Sequence, residues 1–270
     1  VKTVLICHAG ARLDELGLAR WMSSFSELAG LVILQEPKSR LWRRIQREFR
    51  RSGFLGFLDV LAFRLYYRCV LSRRDHVWEE QELARLQSEF PEPAAPPRLC
   101  RAESPNAPEV KAFLNELAPD LMIARCKTLL KPDIFSIPRL GTYVLHPGMC
   151  PEYRNAHGCF WALANGQPEK VAVTLLRIDA GVDTGPVYGY FTYPFDARTE
   201  SHVVIQARAV TENLAAIRAK LEEIAAGVAT PLVTHGRPSA VWGQPWLSRY
   251  LSWKLSARRA AHASCHPAVS

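Results

Sequence analysis

Short β-type apolar runs alternate with helical ones along this chain, and that order predicts an α/β fold with a mostly parallel central sheet flanked by helices. Residues 2–7 (KTVLIC) form a compact apolar run, and residues 11–25 follow with Leu13, Leu16, Leu18, Trp21 and Met22 at helical spacing. Residues 31–35 are a second β-type run stopped by Pro37, which completes a strand–helix–strand unit of Rossmann-like character. The first turn, HAGARLD, holds a single Gly, so it is not a dinucleotide-binding fingerprint.

The elements follow in order. Within residues 36–97, Leu41, Ile45 and Phe49 share one helical face with Arg43, Arg47, Arg50 and Arg51 elsewhere, and residues 54–71 are apolar nearly all round. This reads as an Arg-rich helical insertion that fades into the Pro-rich stretch PEPAAPP. Asn106 followed by Glu109 predicts a capped helix with Val110, Phe113, Leu114 and Leu117 inward. Residues 120–124 and 141–145 read as buried strands, the second ending at His146. A helix over 160–165, strands over 172–178 and 187–193, and one long helix over 201–226 complete the unit. Residues 1–226 are expected to form one domain, with residues 227–270 a short C-terminal extension.

At 48 % apolar residues the chain has the makings of a sizeable core, and no run of about 18 uncharged apolar residues predicts a membrane span. The N-terminal stretch reads as a first strand rather than a signal peptide, so a cytoplasmic location is expected. Seven scattered Cys (Cys7, Cys69, Cys100, Cys126, Cys150, Cys159, Cys265) form no C-x-x-C pair, which points to free thiols and no metal site. The formal charge of +8 is local: residues 38–74 hold eleven basic and two acidic residues, a net of +9, so the remainder is close to neutral.

Residues 145–185 read LHPGMCPEYRNAHGCFWALANGQPEKVAVTLLRIDAGVDTG, with His146 after an apolar run and Asp183-Thr184-Gly185 at the end. The HP, PEYR and DAGVDTG elements together resemble the folate-dependent formyltransferase family. The resemblance covers about residues 98–226. It implies the family's Rossmann-like fold, 10-formyltetrahydrofolate as formyl donor, and transfer to the amine of a small acceptor. An amino sugar on a nucleotide, a phosphorylated compound and a secondary-metabolite amine or hydroxylamine all fit. The family members that formylate initiator transfer RNA carry a second domain that residues 227–270 are too short to form, which argues against that acceptor.

Carried over residue by residue, the resemblance makes His146 the catalytic imidazole and Asp183 the carboxylate that tunes it or relays protons. The family pattern N-x-H holds Val144 at the Asn position, and Val cannot donate a hydrogen bond. Loss of one oxyanion donor typically costs about 2.7–4 kcal/mol. Three readings compete: Asn155, where the family usually has Gly, supplies the donor with His157 nearby; water replaces the amine and the chain is a hydrolase; or binding persists without catalysis. The first is favoured, which adds Asn155 to the candidate catalytic set. The donor is expected against Arg125, Cys126, Lys127 and Leu129 on one loop and Ile178, Asp179, Ala180, Gly181 and Val182 on another. Tyr153 and Arg154 would shape the closing loop. Arg125 and Lys127 could also face the donor's glutamate tail or an anionic acceptor.

The basic segment admits four readings: solvated amphipathic helices, an anionic acceptor site, a membrane-surface contact through residues 41–71 aided by Trp246, Tyr250 and Trp253, and, last, nucleic acid. The sequence names no oligomeric state.

Overall fold

Strand β1 (Lys2–His8) runs through the centre of the molecule, because its alternate side chains bury on both faces of one sheet. The computed structural model describes residues 1–35 and 37–265; the side chains of residues 38–41, 43, 44 and 261–265 lie outside that description, and with them the expectations for Leu41, Arg43, Arg44 and Cys265. A π-helical turn (Leu13–Leu18) leads into α1 (Ala19–Ser23), and β2 (Glu27–Leu34) pairs parallel with β1. The predicted helix thus begins as a wider turn, and the strand starts four residues earlier than its apolar run, at Glu27.

Two long helices come next, α2 (Lys38–Tyr66) and α3 (Ser72–Glu89), joined by a π-helical turn at Tyr67–Leu71. Phe49, on the apolar face shared with Ile45, is exposed. Strand β3 (Arg98–Ala102), which the apolar pattern does not predict, pairs parallel with β2 at the sheet edge. Its Arg98 and Arg101 face solvent, as charges on an edge strand do, and they hide the β pattern. Helix α4 (Pro108–Leu117) is entered through Pro108 without a side-chain cap. The amide of Asn106 is used elsewhere: Nδ2 donates to the Leu129 carbonyl at 2.8 Å and Oδ1 accepts from the Lys131 N–H at 2.8 Å.

Strand β4 (Leu121–Arg125), helix α5 (Pro132–Phe135) and strand β5 (Gly141–Pro147) continue the parallel sheet. A short β6 (Arg154–Asn155) and α6 (Gly158–Ala164) precede the antiparallel β7 (Val173–Arg177) and β8 (Val187–Phe191). The seven-stranded sheet has the order β3-β2-β1-β4-β5-β7-β8, mostly parallel and flanked by helices. Leu5 and Cys7 belong to the larger core, which includes α1, α6 and the C-terminal helices; Val4 and Ile6 belong to the smaller one, against α4 and α5.

The long helix expected over 201–226 is two, α7 (His202–Thr211) and α8 (Leu214–Ala225). Asn213 breaks it: its Nδ2 donates to the carbonyls of Ala209 and Thr192 at 3.0 and 3.1 Å, competing with the helical backbone. Residues beyond 226 form β9 (Val241–Trp242), paired with β6, and the helix α9 (Leu247–Cys265). Tyr250 and Trp253 are buried in the main core, so they are not part of an exposed membrane face.

His157 and His202 lie 5.6 Å apart in this core, and the His202 ring also meets Phe63 and Phe160. Burial, then the charge of Lys127, lowers His157 to about 4; burial, then His157 and Lys254, also lowers His202. The unfolded chain therefore takes up protons that the folded one refuses, and stability falls as pH drops from 6.5 toward about 4. Asp75, its carboxyl pushed up by burial, acts in the opposite direction. The urea midpoint is expected to be lower near about pH 5 than near about pH 7, with the difference reduced in His202→Gln; equal midpoints would refute this.

Candidate functional site

The last residues of β5 extend past its final pairing with β4 at Ala124–Val144, which carries His146 to the carboxyl end of the parallel strands. That is where open α/β sheets place their ligands. The ring is 3 % exposed. Its Nε2 lies 2.7 Å from the Tyr153 carbonyl oxygen, which can only accept, so Nε2 carries the proton. Nδ1 then faces Asp183 Oδ2 at 3.4 Å. The same Oδ2 accepts the Asn155 backbone N–H at 2.7 Å. Asp183 holds a left-handed backbone (φ 50), as does Asn155 (φ 78), and these two bends bring the pair of loops together.

Asn155 thus reaches Asp183 through its backbone. Its side-chain Nδ2 is turned away, donating to the Trp242 carbonyl at 2.5 Å. Val144, two residues before His146 and on the same face of β5, packs with Cys150, Leu176 and Val187 in a small apolar cluster. Burial, followed by the charge of Asp183, pushes the Cys150 thiol up, so it stays neutral beside the carboxylate.

The loop between β5 and α6 is tied from several sides. Thr174 Oγ1 donates to the Gly148 carbonyl at 2.5 Å and accepts from the Cys150 N–H at 3.2 Å. The Tyr190 hydroxyl donates to the Cys150 carbonyl, and Trp242 Nε1 to the Glu152 carbonyl at 2.9 Å. Arg237 clamps Glu152 through two bonds at 3.0 and 2.8 Å. Arg154 donates to the Val182 carbonyl at 3.1 Å, linking this loop to the one bearing Asp183.

That second loop is folded on itself. Asp179 Oδ1 accepts from the Gly181 N–H at 2.9 Å and the Thr184 hydroxyl at 2.7 Å. A Cβ on Gly185 would stand 1.9 Å from the Arg177 carbonyl oxygen. Because that neighbour is backbone, Gly185→Ala is expected to displace the turn, cost about 1–3 kcal/mol and lower activity with it. Thermal melting checks this, and an unshifted melting temperature with full activity would contradict it.

Of the two readings open for Arg125 in the loop after β4, facing an anion is not the one its side chain takes. Its guanidinium pairs with Asp14 at 3.0 Å and donates to the Leu145 carbonyl at 2.6 Å, so it braces the strand end beside His146. The Lys127 backbone N–H donates to His8 Nε2 at 3.0 Å, and Leu129 is exposed. Cys126 and Ile178 pack into the same smaller core, which brings the two loops to one side of the sheet.

A cavity of about 260 Å³ opens from Asp183, walled by Cys150, Arg154, Thr184, His235 and Arg237 among others. The wall formed by residues 234–239 is not foreseen from the sequence. The stretch THGRPS is a polar turn with no motif, and its contacts with Glu152 and Tyr190, together with the backbone bonds of Ala240 to Pro151 and Arg154, bring it to the site.

Fold and geometry define an α/β protein with a buried His at the end of a parallel strand, facing a half-buried Asp on a neighbouring loop. Residues 66–220, more than half of the chain, match the family described as Formyl transferase, and the chain belongs to that family. The match starts inside residues 36–97 and takes in α3. The chain is similar to methionyl-tRNA formyltransferase of Dehalococcoides mccartyi (strain CBDB1), 39 % identical over 87 residues, 32 % of this chain and 28 % of the relative. It is 33 % identical over 150 residues to that of Roseiflexus sp. (strain RS-1), covering 51 % of this chain and 46 % of the relative. The chain thus spans under half the length of these curated relatives. Among solved structures, a sugar N-formyltransferase from Shewanella sp. FDAARGOS_354 shares the fold at TM-score 0.54 and 12 % identity, covering 95 % of this chain and 87 % of that one.

Proposed function

We propose that this chain transfers a formyl group from 10-formyltetrahydrofolate to the amine of a small acceptor. The observation that carries the reading is the His146 Nδ1–Asp183 Oδ2 approach of 3.4 Å, with Asp183 on the wall of a cavity and His146 behind it. Attack by the amine forms a C–N bond and places negative charge on the formyl oxygen. Collapse breaks the bond to the donor nitrogen, which takes a proton as it leaves. The acceptor amine must give one up. Nδ1 is the ring nitrogen free to receive it, and Asp183 stabilises the resulting imidazolium. His146 and Asp183 are thus the proton-handling pair. Asn155 acts as a positioning residue, holding Asp183 by its backbone and the C-terminal segment by its side chain.

The loops at Arg125, Cys126, Lys127 and Leu129 and at Ile178, Asp179, Ala180, Gly181 and Val182 are the proposed donor cradle. Their shared packing through Cys126 and Ile178 supports this fit. The cavity beyond Asp183 is the proposed acceptor site, and Arg154 and His235 on its wall suit a phosphorylated or nucleotide-linked amine. A hydrolase is the second reading, favoured by one observation: Val144 leaves an apolar side chain where the family pattern has a donor.

Calorimetric titration with tetrahydrofolate tests the donor half. Binding that Gly181→Trp abolishes and His146→Ala leaves intact is the expected result. Absence of binding to the unsubstituted chain would refute the cradle.

A further inference from the structure

We infer that the second half of α2 docks this chain on an anionic lipid surface. The inference goes beyond formyl transfer and does not depend on it. Gly53 (φ 67, ψ 179) interrupts α2, so residues 54–66 form a helical segment of their own. One face of that segment is covered: Val60 and Phe63 are buried, and the Phe63 ring meets Phe160, His202 and Tyr250. The opposite face is equally apolar and uncovered. Phe54, Leu58, Leu61 and Leu65 recur at helical spacing with exposures of 63, 45, 41 and 65 %, and Leu55 beside them is 79 % exposed. Soluble surfaces seldom gather so many large apolar side chains on one helix face without a partner.

Charge selects the occupant. Residues 38–74 carry eleven basic and two acidic residues, +9, in a chain of net +8. Arg64 and Arg68 are exposed at the border of the apolar stripe, and Arg47 and Arg50 are exposed before the kink. The one carboxylate of residues 54–66, Asp59, is turned to α9, accepting the Ser248 N–H at 3.0 Å. A second copy of this face would set like charges against each other. An anionic bilayer takes the leucines into its headgroup boundary and the arginines against its surface charge. Among the described residues no helix is long and apolar enough to cross a membrane, so the segment would lie on the surface.

The test is flotation of the chain with vesicles of phosphatidylglycerol and phosphatidylcholine in equal parts, against phosphatidylcholine alone. Binding should be at least about tenfold stronger to the anionic vesicles and should weaken as salt rises. Leu58→Ser with Leu65→Ser, or Arg64→Ser with Arg68→Ser, should each lower it about tenfold, while Val228→Ser with Val233→Ser, also exposed, should not. Should the double Leu variant melt lower than the parent, Leu55→Ser replaces it. No binding, equal binding to both vesicles, or variants without effect would overturn the inference. So would a lipid-free dimer that the Leu substitutions dissolve.

Discussion

His146→Ala is expected to lower acceptor-dependent formyl transfer by about 10²–10⁴ in kcat, the usual reach of a positioned general base. The ring is almost wholly enclosed, with Nε2 spent on the Tyr153 carbonyl, so its removal should leave KM nearly unchanged. Asp183→Asn should cost a similar order. An Asn amide keeps the shape and can still accept the Asn155 N–H at 2.7 Å, but it cannot stabilise a charged ring. The two residues act as one unit, so the double variant should be little worse than the poorer single one. Steady-state rates of the three variants decide this. Additive losses would mean two independent roles, and an unaffected kcat in His146→Ala would remove the imidazole from the chemistry.

Deletion of residues 227–270 is expected to abolish cooperative folding. These residues supply Tyr250 and Trp253 to the main core and Trp242, whose ring stacks on Trp161 at 4.9 Å and Tyr153 at 5.5 Å. They also supply Arg237, the partner of Glu152. Truncating one buried aromatic typically costs about 3–5 kcal/mol, and whole domains are stable by only about 5–15 kcal/mol. Losing several at once exceeds that margin. A thermal melt of the shortened chain should show no sharp transition; a cooperative melt near that of the full chain would make the segment a true appendage.

The central sheet is legible in the sequence because β1, β2, β4 and β5 are buried on both faces and read as continuous apolar runs. Strand β3 is not, because an edge strand needs only one apolar side and Arg98 and Arg101 interrupt it. The split between α7 and α8 turns on a side-chain bond from Asn213 that competes with the helix, and periodicity carries no sign of such bonds. Of the candidate site, the positions of His146 and Asp183 are readable from their motifs. Their approach is not, since it depends on left-handed turns at Asn155 and Asp183 that neither residue type demands. The use of Arg125 on Asp14 spans 111 residues, and the cavity wall at residues 234–239 arrives from beyond the last predicted helix. Long-range contacts of this kind leave no local pattern. The tail reads as an extension for the same reason: its aromatic residues lie among Arg and Lys, and only their partners in α2 and α6 make them core.

The most direct test traces the formyl carbon. The chain would be incubated with 10-formyltetrahydrofolate labelled at that carbon and with a panel of amino sugars, nucleotide-linked amino sugars and hydroxylamines. Label recovered on an acceptor amine, and lost in His146→Ala, is the predicted result. Label released only as formate whatever the acceptor, or left on the donor throughout, would contradict transfer by this site.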